Sequence, residues 1–287
     1  MDNECKLCLI KSFERLLEEK VNDYNIKCGL YQEINKYINS VNSDIKTPEV
    51  ARGVYNIISE ALQIPDLNED SKQKSNDIVL RQYAEFKNLI LNSDNSFNVA
   101  LRLSIAGNIM DFAACPEFFT NSEHYLNNII NEVLTADFAI DDSQELENRI
   151  KCSKTLLILG DNAGEIVFDK LFIETINHPN VYYAVRGKPV INDVTVDDAS
   201  YTGMDKIAEV IPNGYDAPST IIEKASKEFK KIYNDADLII SKGQGNLEGL
   251  INNTREDLYF LLMVKCNVIA KLLGVKKGDY IVKRNKR

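Results

Sequence analysis

The chain is poor in the residues that usually advertise an active site. It has 2 histidines, His124 and His178, in 287 residues, which leaves little material for a histidine-rich zinc centre or a Ser-His-Asp triad. Its 6 cysteines, Cys5, Cys8, Cys28, Cys115, Cys152 and Cys266, are too sparse for a disulfide framework and fit a reducing compartment. No run approaches the roughly 18 apolar residues that mark a membrane span. The opening "MDNECKLCLIKSFERLLEEK" lacks the basic stretch and cleavage site of a signal peptide. Basic charge is also short, 34 residues against 43 acidic ones for a net charge of -9, so the overall field repels a polyanion. These absences predict a soluble cytoplasmic protein that binds neither nucleic acid nor membrane. Chemistry then rests on carboxylates, amides and lysines, and oligomeric state has no signature in the sequence.

What is present changes texture near residue 150. Up to that point the pattern is almost wholly helical: "CLIKSFERLLEEKV" puts Leu9, Phe13, Leu16 and Leu17 on one stripe, and "TPEVARGVYNIISEAL" opens on Thr47 as N-cap with Pro48 at the first helical position. Similar spacing recurs in "SNDIVLRQYAEFKNLIL", "NVALRLSIAGNIMDFAA" and "EHYLNNIINEVL". From Thr155 on, short β-rich runs appear at 155–160, 180–185, 208–212, 236–241, 259–264 and 279–284, with helical patterns at 165–176, 219–233 and 268–273. That alternation predicts a mostly parallel sheet with helices on both faces. The expected organisation is therefore an all-helical region, 1–150, covering the site, followed by an αβα sandwich, 151–287.

Three polar clusters fall just after predicted strands, where open parallel sheets bind ligands. Asp161 and Asn162 follow the first, Arg186 and Gly187 with Asn192 and Asp193 follow the second, and Lys242, Gly243, Gly245 and Asn246 follow the fourth. If those strands are neighbours, the clusters meet in one crevice. A carboxylate and an amide carbonyl offer hard oxygen donors suited to Mg²⁺ or Mn²⁺, with Asp193 as a third. The next helix, opening at Gly164 and Glu165, offers amides to an anion. Asp161 and Asn162 serve equally well as ordinary helix caps, and the stretch alone leaves both readings open. "GDNAGE" is neither a dinucleotide fingerprint nor a phosphate-binding P-loop. In "KGQGN" the glycines read as a tight turn, and Lys242 as a point charge for phosphate or as an idle surface lysine.

The motifs "CKLC", "IAGNIMDFA", "GDNAGEIVFD", "RGKPVINDVTVDDA" and "SKGQGNLEG" stand in the order found in the damage-control phosphatase family. The sequence resembles the prokaryotic branch with its N-terminal CxxC, and the resemblance runs over nearly the whole chain. It implies a metal-dependent phosphatase acting on damaged or surplus phosphometabolites, with Mn²⁺, Co²⁺ or Ni²⁺ as the activating ion, and Mg²⁺ as a further candidate. It also implies Asp161, Asn162 and Asp193 as metal ligands and Lys242 as a phosphate contact, and it brings Asn108 and Asp111 of "GNIMD" to the site from the helical region. Arg186 is a candidate phosphate ligand or a partner of Asp197 or Asp198, and Asp198 is expected near the pocket. The Cys5 and Cys8 pair reads as a packing or accessory feature, since no further zinc ligands follow in a standard spacing.

The expected reaction is hydrolysis of a phosphate monoester of a small metabolite. Asp161, Asp193 and Lys242 are the candidate catalytic residues, and the amides at Gly164 and Glu165 are expected to stabilise charge on the transferred group. A nucleophilic-aspartate phosphatase of the haloacid dehalogenase type needs Asp-x-Asp, and Ala163 stands at the second position. A metal-dependent nucleotide-binding module without turnover is the reading from a different class. A carboxyl methyltransferase lacks its glycine-rich cofactor loop here.

Overall fold

The computed structural model describes residues 2–42, 45–108 and 122–286. Helices come first: α1 (Asn3–Lys20), α2 (Tyr24–Ser40), α3 (Thr47–Leu62), α4 (Glu69–Arg81), α5 (Tyr83–Leu91), α6 (Ser96–Gly107) and α7 (Ser122–Thr135). Their starts are made locally. Asp2 and Asp23 accept hydrogen bonds from the first amides of α1 and α2, and Asn95 does the same for α6, which satisfies donors that a helix cannot bond internally. In α3 the helix already includes Thr47, so Lys46 occupies the cap position without a side-chain bond and Pro48 sits in the first turn.

The second half alternates: β1 (Phe138–Asp141), α8 (Ser143–Cys152), β2 (Leu156–Leu159), α9 (Glu165–Ile176), β3 (Val181–Val185), α10 (Val196–Thr202), β4 (Glu209–Pro212), α11 (Lys227–Asp235), β5 (Leu238–Lys242), α12 (Gly243–Leu250), β6 (Leu258–Met263), α13 (Asn267–Leu273) and β7 (Tyr280–Arg284). The strands form one 7-stranded sheet in the order β1-β7-β6-β5-β2-β3-β4. All neighbours are parallel except β6 and β7. Strands β2 and β5 are buried along their full length, which is why they read as unbroken apolar runs rather than alternating ones. Along β2, Leu156 and Ile158 enter the core beneath α4–α7 and α9, while Leu157 and Leu159 face α11–α13. A separate apolar cluster holds α1, α2 and α3 together and takes in Val190 from the segment after β3.

The topology places the site. From β2 the chain winds outward through β3 and β4, then returns to lay β5 on the other side of β2. The winding reverses between β2 and β5, and the crevice outside the carboxyl ends of strands at such a reversal is where open α/β sheets bind ligands. Three elements depart from the sequence reading. Strand β1 is a 4-residue edge strand at the end of the helical half, too short to break the surrounding pattern. The "KGQGN" stretch is no tight turn but the opening of α12. The helical pattern at 219–233 begins properly only at Lys227, where the Ser226 hydroxyl caps it. Among the described residues, no helix is long and apolar enough to cross a membrane.

Candidate active site

Strands β3, β2 and β5 lie side by side, so the three polar clusters do meet. The backbone fixes the first two to each other. Asn162 and Asp193 form an isolated antiparallel bridge; the Val194 amide donates to the Asp161 carbonyl at 2.9 Å, and the Ala163 amide donates to the Asn192 carbonyl at 2.9 Å. Asp161 Oδ2 accepts from Asn162 Nδ2 at 2.8 Å and from Asn108 Nδ2 at 2.9 Å. Asn108, at the end of α6, thus reaches the sheet from the helical half, and both amides also approach Glu165 Oε2 at 3.3 Å. Gly243 completes this wall. Its φ is +77°, and a Cβ there would stand 1.8 Å from Asp161 Oδ2, so only glycine lets α12 start against the carboxylate. Asp111 lies outside the described residues.

Arg186 lies across the two aspartates. Its Nε donates to Asp193 Oδ2 at 2.5 Å, and its Nη2 stands 3.5 Å from Asp161 Oδ1. It does not pair with Asp197 or Asp198, the alternative left open by the sequence: Asp198 Oδ2 instead accepts from the Thr195 amide and hydroxyl and from Lys72. The Arg186 side chain is 1 % exposed, yet among the described residues Nη2 has no hydrogen-bond partner. A buried guanidinium nitrogen without an acceptor is costly. Burial raises the Asp161 carboxyl well above the usual carboxylate range, and the charges of Glu165 and Asp193 push it further up, against smaller pulls from Lys265 and Arg186. Asp161, Glu165, Asp169 and Asp193 are all buried, and the buried cations beside them are Arg186 and Lys242. Among the described buried residues the negative charge is in excess, with Lys265 acting on Asp161 from a partly exposed position, and a divalent cation would balance it.

The donor set suits such an ion in kind. Among the described residues, no three His, Cys, Asp or Glu side chains converge closely enough to hold one by themselves. The ligands available are the carboxylates of Asp161 and Asp193 and the Asn162 amide. That amide now turns its nitrogen to Asp161, and a half-turn presents its carbonyl oxygen from the same place. All-oxygen ligation of this kind fits Mg²⁺ or Mn²⁺ and leaves positions for water and substrate.

Several residues expected on the ligand are committed elsewhere. Lys242, 1 % exposed, spends its three donors on the Ser104 carbonyl at 2.9 Å, Glu165 Oε1 at 2.7 Å and Asp169 Oδ1 at 2.5 Å. An ammonium has three hydrogens, so none remains for phosphate. The Gly164 amide, expected in a phosphate cradle, donates to Asn76 Oδ1 at 2.7 Å. The Glu165 side chain is fully buried against Lys242. Asn246 is occupied by the carbonyls of Gly160 and Lys242 and by the Thr220 amide, which knits β2 to the start of α12. Cys5 is half-buried at the start of α1; burial, then Glu248 and Cys266, push its thiol up, the reverse of an activated thiolate.

A family model described as the damage-control phosphatase ARMT1-like domain matches residues 1–281. The chain belongs to that family. It is 32% identical over 289 residues to a protein of Pyrococcus horikoshii named damage-control phosphatase, covering 99% of this chain and 97% of that one. It is 30% identical over 237 residues to a damage-control phosphatase of Archaeoglobus fulgidus, covering 82% and 81% of the two chains. An uncharacterized protein of Methanocaldococcus jannaschii is 31% identical over 290 residues, 97% of this chain and 93% of its own. The fold matches the crystal structure of a DUF89 family protein of Pyrococcus horikoshii with a TM-score of 0.90, at 31% identity, over 100% of this chain and 99% of that one.

In this member of the damage-control phosphatase family, the sequence reading overlooked the residues that support the site from behind. Asp169 was visible in "GDNAGEIVFD", one helical turn after Glu165 and on the same face of α9; that i, i+4 spacing of two acids was the available signal. Ser104 donates to Asp169 Oδ1 at 2.7 Å, and Tyr183 donates to Asp169 Oδ2 at 2.9 Å. Neither Asn76 nor Lys72, both from α4, carried any local signal.

Proposed function

We propose that the protein is a metal-dependent phosphatase that hydrolyses phosphate monoesters of small metabolites such as damaged or surplus nucleotides, sugar phosphates or cofactor intermediates. One observation carries this reading: a buried arginine nitrogen without an acceptor stands 3.5 Å from a buried carboxylate held well above its ordinary pKa. An anion donor without an acceptor and a carboxylate pair without enough positive charge, side by side, match a phosphoryl group bound together with its cation.

Asp161, Asp193 and the carbonyl of Asn162 would hold Mn²⁺, Co²⁺, Ni²⁺ or Mg²⁺. When bound, the ion supplies neutralisation of phosphoryl charge and lowers the pKa of a water. The protein's own groups do the positioning. Arg186 Nη2 donates to a non-bridging phosphoryl oxygen, and its Nε stays on Asp193, so one planar group orients both the ligand carboxylate and the substrate. Asn108 holds Asp161 Oδ2 from the helical half, and the missing side chain of Gly243 lets α12 start against the same carboxylate. Low accessibility throughout the cluster strengthens each of these interactions. The family membership and the names of the relatives agree with this activity, and substrates of this size fit a cytoplasmic enzyme.

Asp161→Ala is expected to lower turnover of an aryl phosphate with Mn²⁺ by at least about 10³-fold, roughly 4 kcal/mol of transition-state stabilisation, with an unchanged far-UV circular dichroism spectrum. Undiminished turnover by the variant sinks the assignment. Nucleotide binding by the native protein without phosphate release under any of the four metals replaces it with the binding-module reading.

A further inference from the structure

The two loops that carry the proposed ion ligands are joined by their own backbone bridge and, behind it, by one buried amide from the helical half. Asn76 Oδ1 accepts from the Gly164 amide at 2.7 Å, directly after the Asp161, Asn162 and Ala163 segment. Asn76 Nδ2 donates to Asp198 Oδ1 at 3.3 Å. The other oxygen of Asp198 accepts from the Thr195 amide at 2.9 Å and its hydroxyl at 2.8 Å, two residues beyond Asp193. Lys72, one turn earlier on α4, anchors the assembly by bonding Asp198 Oδ2 at 2.9 Å and Asp66 Oδ2 at 2.7 Å. Lys72, Asn76 and Asp198 are 3 %, 1 % and 8 % exposed.

Burying an ammonium, a carboxylate and an amide is a poor way to pack a helix on a sheet, because their desolvation is barely recovered. A buried hydrogen-bonded network of this kind does fix one geometry among several. What it adds here is a brace on the flanks of that bridge, at Gly164 on one loop and Thr195 on the other. The second loop is under strain as well: Ile191 has φ +47°, a left-handed conformation that a β-branched residue adopts only when its surroundings impose it. Val190, just before it, is buried in the core of α1–α3.

We propose that Asn76, anchored through Asp198 by Lys72, is a positioning residue that braces the backbone bridge between the Asp161–Asn162 loop and the Asp193 loop, and so holds the three proposed ion ligands in register. The inference rests on the reading of those three as ion ligands. Asn76 touches neither ion nor substrate; it acts through the Gly164 and Thr195 backbone.

The test compares the full-length native protein with Asn76→Ala and Asn76→Asp. Backbone amide exchange is followed by NMR, and Mn²⁺ affinity by electron paramagnetic resonance. In Asn76→Ala the Gly164 and Thr195 amides are expected to exchange at least about 10-fold faster while those of β2 and β5 keep their rates. Mn²⁺ is expected to bind about 10- to 100-fold more weakly, the range seen when groups that orient metal ligands are removed. Asn76→Asp keeps the acceptor and loses the donor, so Gly164 stays protected, Thr195 loosens and Mn²⁺ affinity is intermediate. It also carries the test alone if the alanine variant does not fold. Native exchange at Thr195 with native Mn²⁺ affinity in either variant overturns the proposal. Failure of the native protein to bind Mn²⁺ overturns the ion reading instead, and the exchange rates then decide the brace separately.

Discussion

Two sets of buried charges meet at Glu165, and they are opposites in how they are satisfied. Behind it, Lys242 places its three hydrogens on Ser104, Glu165 and Asp169, and Asp169 takes further bonds from Ser104 and Tyr183. Burial raises the carboxyls of both Asp169 behind and Asp161 in front, but in front Arg186 Nη2 has no acceptor among the described residues and two neighbouring carboxylates push Asp161 further up. Buried charge by itself therefore does not mark a functional centre in this fold. What sets the front apart is an unfilled charged donor beside crowded carboxylates, and the filled set packs directly behind it through Glu165.

The comparison is most easily broken at Lys242. Lys242→Met leaves Glu165 and Asp169 buried without a cation, and breaking a buried pair from one side costs about 3–5 kcal/mol. Urea unfolding is expected to show a stability loss of that size, and a loss below about 1 kcal/mol would mean the rear set is not the closed structural unit described.

At Asp161 the sign reverses. An unfolded chain releases this proton near the ordinary carboxylate pKa of about 4, whereas the folded protein holds it to higher pH because burial and two neighbouring carboxylates oppose ionisation. The metal-free protein therefore loses stability as pH rises through that window, and the loss levels off above the raised pKa. Asp161→Asn removes this liability. Its melting temperature is expected to gain on the native protein between pH 5 and pH 8 in chelator, by at least about 2 °C, and to lose that gain when Mn²⁺ is added. An equal gap at both pH values would show that the front set is as well satisfied as the rear.

How much of this was legible depended on whether a residue's partners lay nearby in sequence. The parallel sheet was readable because β2, β3 and β5 are buried on both faces and spell continuous apolar runs. Asp161, Asn162 and Asp193 were readable as a group because each follows such a strand. Lys242 was placed at the right strand end, but position after a strand says only that a side chain reaches the crevice; it does not reveal that two carboxylates on α9 and the Ser104 carbonyl take its donors in the structure. The start of α12 was misread because "KGQGN" looks like a turn, and the φ of +77° together with the 1.8 Å approach of a Cβ to Asp161 explains the glycine at its first position. Asn76 and Lys72 were invisible, since their partners Gly164 and Asp198 lie 88 and 126 residues away.

The finest test of the contrast is Tyr183. Its hydroxyl donates to Asp169 Oδ2, and burial together with the charges of Asp169 and Glu165 holds it protonated, well above the ordinary tyrosine range. Tyr183→Phe removes one donor from a carboxylate that keeps Lys242 and Ser104, and the ring still fills the space under Gly160, where a Cβ would come within 2.7 Å of the hydroxyl. The expected stability loss is about 1 kcal/mol, the net value of one buried hydrogen bond, with kcat/KM and Mn²⁺ affinity unchanged. If kcat/KM instead fell by about 10-fold, worth 1.4 kcal/mol of transition-state stabilisation, at native stability, the rear charges would be coupled to the front ones through Glu165, and the division between a closed support and an open site would fail.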